Sequence, residues 1–263
     1  MKNIIPLKRL GQHFLQDPNI LRKIILELNP VGGENIVEIG PGTGTLTEKL
    51  IERVPDLTVI EIDSRATDML GSKFPGLKII NEDFLKVNLN LLQKHPEDKI
   101  RIVGNIPYNL TSPIIFRLIN ERKKISDAVF LVQYEVARRM TAQKGSKDYG
   151  ILAVLLRIFA EVRLCFKVSP NVFLPKPKVH SAVVHIYFNK AQFEGKFEKL
   201  LISLVKAAFG KRRKTLKNSL ASSIFKELNF TDCGIDLSLR AEQLDPGQFL
   251  ELAYFVSEKT STE

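Results

Sequence analysis

Gly104-Asn105-Ile106-Pro107-Tyr108 sets an amide, a rigid proline and a phenol ring side by side. That group of side chains suits work on an aromatic amine. The exocyclic N6 of adenine gives its lone pair to the ring and is a poor nucleophile. Two acceptors bonded to its two hydrogens draw the nitrogen towards tetrahedral geometry and localise that pair. Asn105 can offer its side-chain oxygen, and the Ile106 or Pro107 carbonyl can offer the other acceptor, because proline fixes the backbone. Tyr108 can stack on a base taken out of its helix. The bland alternative for these residues is an ordinary proline turn.

A second group sits upstream. Glu38-Ile39-Gly40-Pro41-Gly42-Thr43-Gly44 joins an apolar run to a helical pattern starting at Thr45. Glycines let the chain turn tightly and approach a ligand closely. The spacing is G-x-G-x-G, with Thr45 where a dinucleotide fingerprint has its third glycine. Glu38 would repel a pyrophosphate and would tolerate a cationic sulfonium. Glu61 lies about twenty residues further on, placed to accept hydrogen bonds from both hydroxyls of a ribose. Asp83 follows the next apolar run and can accept from an adenine amino group. Alone, each acid is more often a solvated strand end. Together with the glycines they describe a pocket for S-adenosylmethionine. A methyl group on a sulfonium is already activated, so positioning carries most of the catalysis. His180 and His185 are an odd number apart on an expected strand and face opposite ways, so no metal site is expected.

The elements that must hold these groups follow from hydrophobic periodicity. Strands are expected at 35–39, 57–62, 77–81, 100–104, 128–133, 162–168 and 182–188, with helical patterns such as 45–53 and 113–122 between them. This alternation predicts an α/β fold with a largely parallel sheet covered on both faces and its site at the carboxyl ends of the strands. Beyond Phe188 the pattern is helical, at 195–209, 215–228 and 248–257. The expected division is a catalytic domain over 1–189 and a small helical domain over 190–263.

The chain has 263 residues and a formal net charge of +10, which favours a polyanionic partner. Lys206, Lys211, Arg212, Arg213, Lys214 and Lys217 fall in a stretch without an acidic residue. Of these, Lys211, Arg212, Arg213 and Lys214 are the candidate RNA-binding residues. Cys165 and Cys233 match no metal or redox spacing, which favours a reduced, cytoplasmic setting. No apolar run is long enough to span a bilayer. Phe173-Leu174-Pro175-Lys176-Pro177-Lys178-Val179-His180-Ser181 is a stiff loop before the last strand. Its Phe173 suits a core plug and base stacking equally well.

With Gly11-Gln12-His13-Phe14-Leu15 and the segment Phe209–Leu220, these motifs resemble the ribosomal RNA adenine N6,N6-dimethyltransferases over nearly the whole chain. The resemblance implies a Rossmann-like class I methyltransferase sheet of seven strands, the last antiparallel. It implies that His13 and Leu15 help close the cofactor site. Gly40, Gly42, Glu61, Asp83 and Asn105 would contact S-adenosylmethionine, and Asn105, Pro107 and Tyr108 would carry the chemistry. The implied substrate is two adjacent adenosines near the 3′ end of small-subunit ribosomal RNA. A monomer is expected. Three other readings compete: a methyltransferase of large-subunit RNA of the antibiotic-resistance type, a non-catalytic assembly factor on the same scaffold, and a DNA adenine methyltransferase. The basic run favours the small subunit over the first. Intact Glu61, Asp83 and Asn105–Tyr108 argue against the second. Against the third stand a motif that is not Pro-Pro-Tyr and the lack of a visible target-recognition domain.

Overall fold

The computed structural model describes residues 4–7, 10–95, 97–190, 193 and 195–261. Contacts divide the chain into two compact units, residues 1–137 with 162–188 and residues 138–161 with 189–263. The segment 138–161 packs in the second unit, an excursion that the expected division at 189/190 did not include.

The first unit holds a seven-stranded sheet. Its strands are β2 (Ile36–Ile39), β3 (Thr58–Ile60), β4 (Lys78–Ile80), β5 (Ile100–Asn105), β6 (Ile125–Gln133), β7 (Glu161–Val168) and β9 (Ser181–Tyr187), in the order β4-β3-β2-β5-β6-β9-β7. Strands β4, β3, β2, β5 and β6 pair in parallel, and β9 runs antiparallel to β6. All seven expected strands are present; β2, β3 and β4 are shorter than expected, β5, β6 and β7 are longer, and β9 is shifted by one residue. Strands β2, β3 and β9 are apolar almost throughout because both faces of a parallel core are covered.

Register decides where function can gather. Ile39 lies opposite Ile60 on one side and Gly104 on the other. The residues that follow, Gly40, Glu61 and Asn105, therefore emerge together at one edge of the sheet. Asn105 pairs with Leu131, and Gln133 at the end of β6 faces Ser181 at the start of β9. The proline loop is thus delivered to the same edge. A two-residue ribbon completes the mouth. In it β1 (Phe14–Leu15) pairs antiparallel with β8 (Phe173–Leu174).

Local chemistry explains the helices that frame this edge. Asp17 caps α1 (Pro18–Leu28) by accepting from the Asn19 and Ile20 N–H groups, and Pro18 occupies the first turn, where no N–H is needed. Helix α2 (Thr45–Ile51) starts directly from the glycine loop, with Gly44 as its cap. Helix α3 (Ser64–Lys73) follows β3, and α4 (Thr111–Asn120) follows the Asn105–Tyr108 turn.

The opposite edge of the sheet is held by charge. Arg101 donates to both carboxylate oxygens of Asp127 at 2.7 and 2.8 Å. The two ring nitrogens of His185 lie 2.7 Å from Asp127 and 2.7 Å from Glu27. Burial raises the Asp127 carboxyl, but its bonds to Arg101 and His185 outweigh that and hold it below the usual range. His180 is exposed and outside this network.

The second unit is built on helices. Helix α5 (Tyr134–Thr141) crosses into it, followed by α6 (Ile151–Phe159), α7 (Gly195–Phe209), α8 (Leu216–Leu220) and α9 (Pro246–Ser261). Phe209 stacks on Phe249, Tyr149 meets Phe209 edge-on, and Phe197 stacks on Tyr254, joining α7 to α9. The helix expected over 215–228 stops at Leu220. Ser222 and Ser223 turn their hydroxyls back onto Ser219 and Leu220 carbonyls, and the Ser223 hydroxyl accepts from the Phe225 N–H. Such local bonds compete with helix continuation.

Candidate active site

A cleft at the carboxyl edge of β2, β3 and β5 is lined by His13, Gly40, Gly42, Glu61, Asn105, Pro107 and Tyr108, among others. Seven of the residues expected in the site therefore share one cavity. Leu15 is buried beside it and lines an adjoining cavity with Glu38, Thr45 and Asn105.

The glycine loop is shaped by close neighbours. Gly42 has a positive φ, and a Cβ there would meet the Phe14 ring at 2.8 Å. At Gly104 a Cβ would meet the Ile39 carbonyl oxygen at 2.4 Å, so β5 can run beside β2 only with glycine at that position. Glu61, 6% exposed, accepts from the Gly42 N–H at 3.1 Å and from the Asp63 N–H at 3.0 Å. Its carboxylate thereby braces the loop and retains lone pairs for a ligand. Burial raises its affinity for a proton, and these two N–H donors work against that rise.

At the Asn105–Tyr108 turn, the Asn105 Nδ2 donates to the His13 carbonyl at 2.7 Å. This bond sets the amide's orientation and leaves its oxygen as an acceptor. The two carbonyls that the sequence left open are now distinguished. The Pro107 carbonyl accepts from the Leu110 N–H at 2.9 Å, closing the turn. The Ile106 carbonyl has no partner among the described residues, which makes it the available second acceptor. The Tyr108 hydroxyl lies 2.8 Å from Ser181 Oγ, and the His13 ring stacks on Tyr108 at 5.5 Å and 27°. His13 is itself held by a 2.7 Å contact from Nδ1 to the Pro175 carbonyl. One face of Tyr108 is therefore covered from within the protein.

Two expected residues stand apart. Phe173 is 5% exposed and packs in the apolar core with Leu15, Leu21 and Val183. It holds the core-plug position and does not line the cleft, so the base-stacking role considered for it is not what this arrangement provides. Asp83 does not line the cleft either. Its Oδ1 accepts from the Leu85 N–H at 2.9 Å, forming a tight turn after β4.

Comparison with known proteins assigns the chain to a family. Residues 7–258 match the family described as Ribosomal RNA adenine dimethylase. The chain belongs to that family. A curated relative, the Ribosomal RNA small subunit methyltransferase A of Chlorobium phaeobacteroides (strain BS1), is 44% identical over 93% of this chain and 91% of its own. Among solved structures, a dimethyladenosine transferase from Plasmodium falciparum superposes with a TM-score of 0.75 at 27% identity, covering 94% of this chain and 98% of that one. The 23S rRNA methyltransferase ErmE gives a TM-score of 0.65 at 28% identity over 93% of this chain and 99% of its own.

Three features of this dimethylase escaped the sequence reading. Gln12 donates to Asp63 at 3.0 Å and accepts from the Leu7 N–H at 2.8 Å, tying the N-terminal segment across the cleft. Arg65 beside Asp63 holds that carboxyl down to about 2, so it stays an acceptor at any physiological pH. Ile62 follows Glu61 into the cleft while 51% exposed, an apolar wall left open at a polar edge. Only this last feature carries a signal in sequence, an isoleucine directly after the acid of a strand end.

Glu38 also differs from its expected state. It is 2% exposed, and its carboxyl group accepts from the Thr47 hydroxyl at 2.7 Å. Burial, with Glu61 nearby, pushes its carboxyl up from 4.5 to about 8, so at neutral pH the protein holds it as an acid. The repulsion of pyrophosphate expected from its charge is absent in that state. The raised value has a stability consequence. The folded state binds this proton between about 4.5 and about 8 while the unfolded state has released it, so stability falls as pH rises through that window. Glu38→Gln removes the titration. Denaturant melts from pH 5 to 8.5 should show the parent losing on the order of a few kcal/mol and the variant a flatter profile. Parallel profiles would mean that Glu38 stays ionised in the fold.

The basic run is in the second unit. Lys211, Arg213 and Lys214 are exposed. Arg212 is engaged: it donates to Glu242 at 3.3 Å and to the Lys147 carbonyl. Gly145 N–H donates to the Glu242 carbonyl at 2.8 Å, and Lys144 pairs with Asp245 at 3.1 Å. These bonds bring exposed Lys147 beside the run from far away in sequence. The cationic surface is thus wider than the sequence run, and Arg212 is its brace. Among the described residues no helix is long and apolar enough to cross a membrane.

Proposed function

We propose that this chain transfers methyl groups from S-adenosylmethionine to the N6 atoms of two adjacent adenosines near the 3′ end of small-subunit ribosomal RNA, dimethylating each. The observation that carries the reading is the single cleft that gathers the glycine loop, Glu61 and the Asn105–Tyr108 turn. Its residues suit that cofactor. Glu61 offers carboxylate oxygens to ribose hydroxyls, Ile62 an apolar wall to the adenine, and the backbone at Gly40 and Gly42 a close approach. Asp83 would take part through the carboxylate oxygen that the Leu85 N–H does not use. When bound, the cofactor supplies an electrophilic methyl group on sulfur.

The protein's part is to place the amine and strip it of resonance. The Asn105 oxygen and the Ile106 carbonyl each accept one N6 hydrogen, and the free face of Tyr108 stacks on the extruded base. With the amine held by Asn105 and the Ile106 carbonyl, a bound cofactor would give up its methyl to N6 while its sulfur kept the bonding pair, and the amine proton would pass to solvent. In a second transfer the monomethylated amine, with one hydrogen left, would be held by only one of the two acceptors.

The helical unit, including 138–161, would hold RNA phosphates through Lys211, Arg213, Lys214 and Lys147, with Arg212 bracing them. The enzyme acts as a cytoplasmic monomer on the assembling subunit. The 44% identity to a protein named for the small subunit, against 28% to the 23S rRNA methyltransferase, supports the small-subunit substrate. Labelled cofactor with separate unmethylated subunits tests this: label should enter the small subunit. Label in the large subunit would assign the other substrate.

The role of Glu61 has its own test. Glu61→Ala removes the ribose acceptor and the brace on Gly42, and should weaken cofactor binding by about 1.5–3 kcal/mol, roughly 10- to 150-fold in Kd. Calorimetry giving parental affinity in a folded variant would remove Glu61 from the site.

A further inference from the structure

The second unit carries a cavity of about 560 Å3 that the cofactor cleft and the basic run do not explain. It is formed where α8 breaks and the chain loops back, with the Lys217 N–H donating to the Leu237 carbonyl at 3.0 Å across its rim. Phe225, Phe230 and Ile235 form its apolar lining and are nearly buried. Lys217 and Lys226 stand exposed at its edge, the latter paired only loosely with its neighbour Glu227 at 3.5 Å. Asp236 also lines it, its carboxylate accepting from Ser238, with the Ser238 N–H 2.9 Å from Oδ1.

Aromatic walls with cations at the rim match the chemistry of one unstacked nucleotide. Single-stranded RNA is recognised by bases splayed onto aromatic side chains, and each such stack is sequence-tolerant. Charge complementarity places the phosphate, because two lysines flank the opening. Continuity places the strand: Lys217 is both the last member of the basic run and a wall of this cavity, so a backbone followed along Lys211–Lys217 arrives at its mouth. The Asp236 carboxylate has more acceptor sites than Ser238 uses, so it can also accept from an exocyclic amino group, which adenine, cytosine and guanine possess and uracil lacks.

We propose that this cavity takes a single amino-bearing nucleotide of the ribosomal RNA, distinct from the adenosines that are methylated, with its base against Phe225 and Phe230 and its phosphate between Lys217 and Lys226. The proposal rests on the RNA-methylation reading above and adds a second point of base contact to it.

Thr231→Trp and Ser238→Trp fill the cavity from exposed positions, outside the cofactor cleft. Each should weaken binding to unmethylated small subunits by about tenfold, the scale of one base–aromatic stack, while cofactor affinity stays within about twofold. Chemical probing of the subunit RNA should show one unpaired base, other than the methylated pair, protected by the parent and reactive with the filled variants. Lys217→Glu, at an exposed site that does not threaten folding, should lose the same protection. Parental affinity in both filled variants, or no such protected base, overturns the proposal. Weakened binding without base protection overturns it too and points to a protein partner. If the parent neither binds nor methylates small subunits, the underlying function fails first and this site falls with it.

Discussion

Asn105→Ala should lower the methyl-transfer rate by about 100- to 1000-fold, the usual cost of removing one preorganised polar group from a transition state. The amide has two parts to play. In the proposed reaction its oxygen is one of the two acceptors for the amine, and in the fold its Nδ2 donates to the His13 carbonyl at 2.7 Å. Ala removes both. Asn105→Asp separates them, because it keeps an acceptor but turns a carboxylate oxygen towards the His13 carbonyl, so it should fail as well. Binding of the small subunit should stay within about twofold in either variant, since phosphate contacts carry that affinity. The loss therefore falls on the single-turnover rate and not on Kd. A folded Asn105→Ala enzyme with a parental single-turnover rate would show that the amine is activated elsewhere.

Changing Lys211, Arg213 and Lys214 together to Glu should produce the second large effect, on recognition. All three are exposed. Each cation that meets a phosphate releases counterions on binding, so removing three should flatten the salt dependence of log K by roughly 2–3 and weaken binding at least about tenfold near 0.15 M salt. Arg212 is left in place deliberately. Its bonds to Glu242 and the Lys147 carbonyl make it part of the fold, and reversing it would set two carboxylates together. Cofactor calorimetry on the triple variant should match the parent. Equal subunit affinity with an equal salt slope would remove the basic run from RNA recognition.

Much of this site could be read before the fold, and the reason is register. A parallel sheet places the ends of successive strands at one edge, so Gly40, Glu61 and Asn105 had to meet once their strands were located. Glycines that tolerate no Cβ and acids that end apolar runs leave marks in the sequence. Partnerships made across the chain leave none. Gln12 finds Asp63, the Asn105 amide finds the His13 carbonyl, and the Pro107 carbonyl is taken by Leu110, because the folded backbone brings those atoms together. Phe173 shows the limit clearly. An aromatic residue before a proline loop suits a core or a stack equally, and only its pairing with Leu15 in the β1–β8 ribbon and its burial among apolar residues assign it to the core. Periodicity alone also misled over residues 215–228. Serines within an apolar repeat ended the helix at Leu220, and that break opened the cavity beside Lys217. The placement of 138–161 in the second unit likewise follows from contacts such as Tyr149 with Leu244, which no local pattern encodes.

The central claim is tested most directly by mass spectrometry of ribosomal RNA digests after purified, unmethylated small subunits are incubated with the protein and labelled S-adenosylmethionine. N6,N6-Dimethyladenosine should accumulate at two adjacent positions near the 3′ end of the small-subunit RNA, up to four labelled methyl groups per subunit, and Asn105→Ala should leave that fragment unlabelled on the same time scale. Label on another base, at another position, or absent altogether with the parent protein would contradict the account.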